Sequence, residues 1–274
     1  MVIVRLFNVI LTGLFEGILY PFRGSPWLGM VIVSVLTGIF MLIIFKYTSN
    51  QEAIRRTKNL LKAGFLELWL FRNDFRSQIG TTLNILGNNF RYMRYALTPM
   101  LFLIIPFIFI LVQLDLRYGY RPLEPGEPAI LTVTTDGSVG PGQISLSVPE
   151  GVTVESPALR IPLDNEVNWK VSAAKEGRFE LSLKTGTANA KKILVSSDRL
   201  LKVPRIRNRT IWSWQGVLFH PGEPPLEAPY ESIEIGYPAS SLRLFGLSMH
   251  WIIPFLILSI AFGFGLKGVF GVEV

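Results

Sequence analysis

The chain has 274 residues with a formal net charge of +7, and 49% of its residues are hydrophobic while only 17% are charged. An ordinary soluble domain carries a larger charged fraction, so this composition indicates a membrane protein. The absence of cysteine excludes a disulfide framework, a thiolate zinc site and a cysteine nucleophile, and two histidines are too few for a histidine-rich metal site.

Residues 1–24 predict an amphipathic helix that lies in the membrane interface rather than a signal peptide. Glu16 interrupts the apolar stretch, and no small-residue cleavage site precedes the next apolar run. Arg5, Asn8 and Glu16 would form the polar face of this helix. A re-entrant or partly inserted helix is the alternative.

Three long uncharged runs predict membrane-spanning helices over residues 25–46, 95–115 and 244–267. About 20 apolar residues suffice to cross a hydrocarbon core of about 30 Å. The interiors of the runs hold no ionisable side chain, which argues against a transporter or a pump. Small residues in the first and third runs predict close helix packing; they are Gly29, Ser34, Gly38, Ser259 and Gly263. Trp27 and Trp251 lie near two span ends, where an aromatic belt contacts lipid.

Basic residues set the expected orientation. Residues 47–94 hold most of the lysines and arginines of the short loops, whereas only Arg5 and Arg23 precede the first span. The positive-inside rule then places residues 47–94 and the tail 268–274 in the cytoplasm, with the N-terminus and residues 116–243 outside. We expect a multi-pass protein of a bacterial inner membrane.

Residues 47–94 predict a cytoplasmic helical hairpin, with one long bent helix as the alternative. Apolar residues recur at heptad spacing, first as Ile54, Leu61, Leu68 and Phe75, then as Ile79, Leu83, Leu86, Phe90 and Met93. The phase drifts near Arg72–Asp74, which indicates a turn. The stretch 65–71 is too apolar for a free surface, so Leu61, Leu68, Trp69 and Phe75 are candidate contacts for a partner or for lipid.

Residues 116–127 read as a Pro/Gly-rich linker, and residues 128–198 contain seven short alternating or β-branched runs. That pattern predicts an antiparallel β-sandwich of the immunoglobulin-like type, with Trp169 in its core. Residues 199–243 form a basic, proline-rich connector. Its Arg205, Arg207 and Arg209 could bind anionic lipid headgroups or an acidic partner, unless the stretch is an ordinary solvated linker.

The sequence contains no common catalytic or nucleotide-binding motif. His250, near the end of the third span, is a candidate pigment or metal ligand or an ordinary interfacial histidine, and His220 is expected in a turn. We expect no cofactor, no nucleic-acid partner and no enzymatic activity. An enzyme that acts on lipid would have to use Asp115, Glu16 or His250.

The helical part resembles a known family. Residues 25–114 combine a first span with its N-terminus outside, the basic helical segment NQEAIRRTKNLLK and a second span entered through MRYALTPMLFLIIPFIFIL. This arrangement resembles the Oxa1/YidC superfamily of membrane insertases, and within it the small archaeal and eukaryotic branch of EMC3- and TMCO1-like proteins. The resemblance implies insertase activity. Two features depart from it: no positive residue lies in a predicted span, and the β domain is an addition.

The sequence therefore predicts an α+β membrane protein with three transmembrane helices, an interfacial helix, a cytoplasmic hairpin and an extracytoplasmic β-sandwich. The first functional hypothesis is a structural or assembly subunit that packs against other integral membrane proteins of a larger complex, of a photosynthetic or respiratory kind. The alternative is an insertase or membrane chaperone. An insertase should have a polar groove, for which the candidate residues are Ser34, Thr37, Thr98 and Gln113.

Overall fold

A computed structural model describes residues 2–70, 75–186, 188–209, 223–244 and 246–273. Within these ranges the chain is an α+β protein with antiparallel β-sheets. It divides into two compact units, each made of two stretches of sequence. We call Met1–Gly29 with Leu111–Ile253 the β-containing unit, and Met30–Ile110 with Pro254–Val274 the helical unit.

Five α-helices occur in the described ranges: α1 (Val2–Leu19), α2 (Pro26–Thr48), α3 (Gln51–Leu70), α4 (Phe75–Leu114) and α5 (Ile252–Phe270). Three helical stretches are long and apolar enough to cross a membrane, namely Pro26–Thr48, Gln78–Gly119 and Ile252–Phe270. Their length and composition indicate a membrane protein.

Local features set the ends of α2 and the start of α3. Helix α2 begins with Pro26, and proline suits the first helical position because its missing N–H would have no partner there. At the start of α3 the side chain of Asn50 accepts a hydrogen bond from the Ala53 backbone N–H at 3.0 Å. In the last turn of α2, Lys46 donates to the carbonyl oxygen of Phe270, the last residue of α5, at 2.8 Å. Its positive charge complements the negative C-terminal end of the α5 helix dipole.

Helix α4 is longer than the predicted span. It runs for 40 residues with Pro99 and Pro106 inside it, and a π-helical turn, Asp115–Gly119, follows. The predicted boundary at residue 95 marks a change in polarity and not a helix end. Charged and apolar residues propagate a helix about equally well, so hydropathy locates the bilayer better than it locates the helix.

Helix α5 starts later than the span predicted from residue 244. Residues before it form two short paired strands, with Gly246 in the turn at a φ of +85°. A positive φ favours glycine, which explains the reversal. Pro254 then lies in the first turn of α5, where a proline requires no kink.

Helices α3 and α4 approach each other at Gly64, and the predicted hairpin stays a prediction. A Cβ atom on Gly64 of α3 would come within 2.7 Å of Ile85 Cγ1 of α4. Residues 71–74, where the sequence predicts the turn, lie outside the described residues. The α3 half of the predicted seam faces inward, since Ile54 is buried and Leu61 and Leu68 are half-buried.

The α4 half of the seam differs from the expectation. Its inward face consists of Thr81, Ile85 and Tyr92, whereas Leu83 and Phe90 of the heptad pattern are exposed. The heptad pattern correctly finds the apolar face of α4 but does not say which face meets α3. The absence of a side chain at Gly64 allows the approach of Ile85 to α3.

The β-containing unit has eleven strands in its described residues. They are β1 (Pro128–Thr135), β2 (Ser145–Ser147), β3 (Val152–Val154), β4 (Leu159–Ile161), β5 (Glu166–Ala173), β6 (Gly177–Lys184), β7 (Asn189–Ser196), β8 (Ile206–Asn208), β9 (Tyr230–Ile235), β10 (Leu242–Leu244) and β11 (Leu247–Met249). Strands β1 to β7 fall on the seven runs predicted from the sequence.

The strands form three sheets with antiparallel pairing. One has the order β3-β5-β1-β9-β8, with β4 also paired to β5; the second is β2-β6-β7, and the third is the pair β10-β11. In the first sheet Leu131 lies opposite Trp169 on one side and Ile235 on the other. A single core cluster draws on the first two sheets and includes Trp169, as the sequence predicts. The immunoglobulin-like type stays a prediction.

The stretch 199–243 is more structured than a connector. It supplies β8 and β9, and β9 pairs directly with β1 at the centre of the first sheet. The alternation in YESIEI, residues 230–235, is the signal that would have revealed β9.

Backbone hydrogen bonds join the end of α4 to this domain within the β-containing unit. The Val203 N–H donates to the Leu116 carbonyl oxygen at 2.8 Å, and the Ser240 N–H donates to that of Gly119 at 3.0 Å.

Candidate functional site

The helical unit contains an apolar cavity of about 420 Å³, which we call the bundle cavity. Side chains of α2, α3, α4 and α5 line it, with Met41, Leu103 and Leu256 among the apolar ones. Among the described lining residues, the side chains of Thr37, Tyr92 and Ser259 carry oxygen atoms. A volume of this size lies within the range of about 300–1,000 Å³ found for small-molecule pockets.

A close helix crossing forms one side of the bundle cavity. A Cβ atom on Gly38 of α2 would lie 3.0 Å from the Ser259 carbonyl oxygen and 3.1 Å from the Gly263 backbone nitrogen of α5. The backbones of α2 and α5 therefore touch at Gly38, as expected from the small residues. Gly263 differs from Gly38, because nothing lies within 4 Å of a Cβ atom placed there.

The four residues expected in a polar groove are not gathered in the bundle cavity. Thr37 lines it, whereas Ser34 is buried elsewhere on α2. Thr98 is exposed and donates to the Arg94 carbonyl oxygen of its own helix at 3.0 Å. Gln113 belongs to the β-containing unit and donates to Thr12 Oγ1 at 3.0 Å.

Four of the predicted contact residues lie in α3 or at the start of α4, and of those described, Trp69 is the exposed one. Trp69 is 73% exposed, and Phe65, Leu66 and Leu70 around it are also exposed. Leu61 and Leu68 are half-buried on the inward face of α3. Phe75 begins α4, and its side chain lies outside the described part of the structure. The apolar surface predicted from residues 65–71 is thus present around Trp69.

A buried polar cluster in the β-containing unit ties α1 to the end of α4. Arg117, which is 3% exposed, donates to the Gln113 carbonyl oxygen at 2.8 Å and to the Thr12 carbonyl oxygen at 3.2 Å, and its guanidinium lies 3.3 Å from Glu16. Arg23 pairs with the other oxygen of the same carboxylate. The sequence singled out Glu16 but not Arg117, because residue 117 follows the uncharged run.

This cluster changes the interpretation of α1. The carboxylate of Glu16 is half-buried and pairs with Arg117 and Arg23, while Val9, Ile10 and Leu14 on the same helix are exposed. Of the predicted polar face, Glu16 therefore contacts the turn after α4, the side chains of Arg5 and Asn8 lie outside the described part of the structure, and Val9, Ile10 and Leu14 are available to lipid.

The three arginines of the basic stretch contact other parts of the same chain. Arg205 lies 3.3 Å from Glu234 and stacks over the ring of Tyr120. Arg207 donates to the Pro224 carbonyl oxygen at 2.6 Å, and burial lowers its pKa. Arg209 contacts Asp136 at 2.5 Å.

The Asp136 carboxylate is strongly acidic as a result of its surroundings. Hydrogen bonds from the side chain and the backbone N–H of Ser138, followed by the bond from Arg209, lower the pKa of Asp136 to about 2. These contacts fasten the end of β1 to the chain after β8, so Arg209 has a structural partner. Because these three arginines already contact other groups of the chain, fewer of their N–H groups are available to a lipid headgroup than the sequence suggests.

The aromatic and histidine candidates occupy capping and packing positions. Trp27 donates from Nε1 to the Arg243 carbonyl oxygen at 2.8 Å. Trp251 is only 3% exposed, so its ring packs inside the protein and not against lipid as an aromatic belt would. His250 Nδ1 accepts from the Ile252 N–H at 3.4 Å, at the start of α5. His220 lies outside the described residues.

A buried ion pair in the β domain escaped the sequence analysis. Lys192 of β7 pairs with Glu223, with side chains 0% and 3% exposed, and Lys192 also donates to the Pro204 carbonyl oxygen at 2.6 Å. Glu223 in turn accepts the Ile193 N–H at 2.8 Å. Burial lowers the pKa of Lys192, and the negative charge of Glu223 opposes that shift. Lys192 lies in an alternating strand, but nothing in the pattern marks its side chain as internal.

Within the described ranges, no group of three or more His, Asp or Glu side chains is placed to hold a metal ion. Comparisons with protein-family models, with curated proteins and with solved structures find no significant match for this chain. The bundle cavity and the exposed surface around Trp69 are features suited to binding apolar groups.

Proposed function

We propose that this protein is a non-enzymatic membrane subunit that holds or assembles other integral membrane proteins, with the bundle cavity as a contact site. The observation that carries the proposal is a cavity of about 420 Å³ lined almost entirely by apolar side chains within the part that contains the span-like helices. Such a cavity takes the bulky apolar side chains of a neighbouring helix, which fill space that the protein's own side chains leave empty.

Two further features support an assembly role. The exposed apolar residues around Trp69 offer a second surface, and monomeric soluble surfaces rarely keep such patches uncovered. The β domain offers a third contact surface. We propose that this domain is immunoglobulin-like and lies outside the cell membrane. Positive charge in residues 47–94 supports the orientation with the N-terminus outside and the C-terminus inside.

The test is co-purification of the full chain from membranes in mild detergent. We expect a stable complex of defined stoichiometry with another integral membrane protein. A leucine at Gly263 fills the bundle cavity without a clash at its Cβ atom, so Gly263→Leu should release the partner. Gly265→Leu, on the same helix but exposed and outside the cavity, is the matched control and should retain it.

Two results would count against the proposal. A purified chain that binds lipid alone, or a partner that both leucine variants retain equally, would contradict a role of the bundle cavity in assembly.

An insertase of the Oxa1 kind is the second candidate. Its support is the combination of three span-like helices with the predicted α3–α4 hairpin, which is the arrangement of the resemblance described above. An insertase contacts its client proteins only briefly, whereas a structural subunit keeps its contacts. A photoactivatable side chain at Leu103 should then crosslink to nascent membrane chains during their synthesis, whereas an assembly subunit crosslinks to one mature protein.

A further inference from the structure

Helix α4 carries a continuous apolar stripe on the face turned away from α3, which we call the α4 seam. Its eight members are between 43% and 63% exposed: Ile79, Leu83, Leu86, Phe90, Met93, Leu97, Met100 and Ile104. Successive members are separated alternately by four and three residues, so the spacing is a heptad repeat without a break.

The period of the α4 seam points to a helical partner. A stripe with a mean spacing of 3.5 residues stays on one side of a helix only when two helices supercoil around each other. Helix α3 does not provide this partner, because Thr81, Ile85 and Tyr92 form the inward face of α4. The α4 seam is therefore uncovered in the single chain.

Lipid cannot cover the whole α4 seam. The α4 seam runs from Ile79 to Ile104 and is about 38 Å long, which exceeds a hydrocarbon core of about 30 Å, and its first half precedes the uncharged run that predicts the span. When Leu97–Ile104 lie in the bilayer, Ile79–Met93 lie beyond it in the basic segment. An occupant of the entire seam must itself be a helix that leaves the membrane alongside α4.

The residues beside the α4 seam admit a second copy of the same helix. Its flanking positions include Gly80, Thr82, Gly87 and Asn89, all uncharged, and nothing lies within 4 Å of a Cβ atom on either glycine. In a parallel pair, the flanking Arg94 would face Asn89 of the other helix rather than another arginine. Arg94 is thus the charged flanking position of the described seam, and in this pairing it does not repel its own copy.

We propose that the α4 seam is the contact between two copies of this chain, packed in parallel. Two copies inserted in the same sense have their α4 helices in the same direction, so each layer of the seam meets the identical layer. Eight half-exposed side chains offer on the order of 700 Å² per chain, close to the roughly 800 Å² that each partner gives to a standard interface. Met100 also lines the bundle cavity, but the other seven members of the α4 seam do not, and the test below uses only positions outside the cavity.

The absence of native cysteine allows a direct test by disulfide crosslinking in membranes. Leu86→Cys and Met93→Cys place single thiols in the α4 seam, and Asn84→Cys and Arg91→Cys place them on the exposed side of the same helix. A disulfide requires Cα atoms within about 7 Å. We expect mild oxidation to convert the seam variants to covalent dimers at least fivefold more than the two controls.

A second variant addresses specificity. Adding Leu86→Glu to the Met93→Cys chain should abolish the dimer, because it places two like charges across a seam layer, whereas adding Asn84→Glu should not. Equal crosslinking at seam and control positions, or no covalent dimer at the seam positions, would overturn the proposal. Those results would leave the co-purification test of the bundle cavity unaffected.

Discussion

At the scale of single residues, the buried pair Lys192–Glu223 fastens the edge of β7. Glu223 accepts both the lysine ammonium and the Ile193 N–H, and the Lys192 ammonium also reaches the Pro204 carbonyl oxygen. Strand β7 is an edge strand of its sheet, and edge strands need such protection from pairing with other chains. The pair therefore stabilises the domain and also protects the edge of β7 from pairing with a strand of another chain.

Removing only the lysine should be costly. Lys192→Met leaves the Glu223 carboxylate buried without its counter-charge, and we expect a loss of about 3–5 kcal/mol in the free energy of unfolding. Hydrogen exchange of the β7 amides in the full chain measures it. The double variant with Glu223→Gln keeps an acceptor for Ile193 and removes the buried charge, so it should be more stable than the single variant. Equal stability of wild type and Lys192→Met would refute this account.

Asp136 gives the β domain a dependence on acid. Its pKa of about 2 in the folded state lies below the ordinary value of 3.8, so the fold favours the charged carboxylate. This contribution is complete above about pH 4 and is lost as the pH falls through about 2. Asp136→Asn should lower stability at pH 7, and the difference from wild type should shrink between pH 4 and pH 2.

Thermal unfolding at several pH values measures this difference. The control is Asp198→Asn, because Asp198 is exposed and lies 3.8 Å from Arg199, an arrangement that contributes little. A gap between wild type and Asp136→Asn that stays constant down to pH 2 would contradict the assignment.

At the scale of elements, the crossing of α2 and α5 depends on the absence of one side chain. Gly38→Ala places a methyl group against backbone atoms that cannot rotate away, so we expect about 1–3 kcal/mol of destabilisation. Gly263→Ala adds the same methyl group to open space and should have little effect. Unfolding of both variants in mixed detergent micelles compares them. Similar losses for both would mean that α2 and α5 do not touch at Gly38.

The elements also show which features a sequence can reveal. Strands β1 to β7 are predictable because alternation and turn residues act locally, and α2 is predictable because it carries no charge before Lys46 in its last turn. The sequence predicts a span from residue 244 because no charge follows Arg243 there, whereas Leu247–Met249 pairs with Leu242–Leu244 as a hairpin and α5 begins only at Ile252. The long-range pairing of β9 with β1 and the burial of Lys192 depend on tertiary contacts, which no local pattern contains.

The candidate site was predictable only in part. The exposed surface around Trp69 follows from composition alone, and the glycine at position 38 marks a helix contact. The bundle cavity itself could not be foreseen, because it depends on how four helices leave space between them. Arg117 was missed because its burial results from the helical turn that continues beyond Leu114.

At the scale of the whole molecule, the β domain and the helices each offer contact surfaces. Backbone hydrogen bonds at Leu116 and Gly119 attach the β domain to the end of α4. The helical unit offers the apolar bundle cavity. On the proposed function, a side chain of a partner helix packs in this cavity and gains dispersion contacts there.

The most direct test of the proposed function is photocrosslinking in intact membranes. The photoactivatable residue replaces Leu103, which lines the bundle cavity, and in the control it replaces Ile105, which is exposed on the same helix. The account predicts that Leu103 crosslinks in high yield to one integral membrane protein while Ile105 crosslinks mainly to lipid. Crosslinks to lipid alone from Leu103, with the same yield as from Ile105, would contradict it.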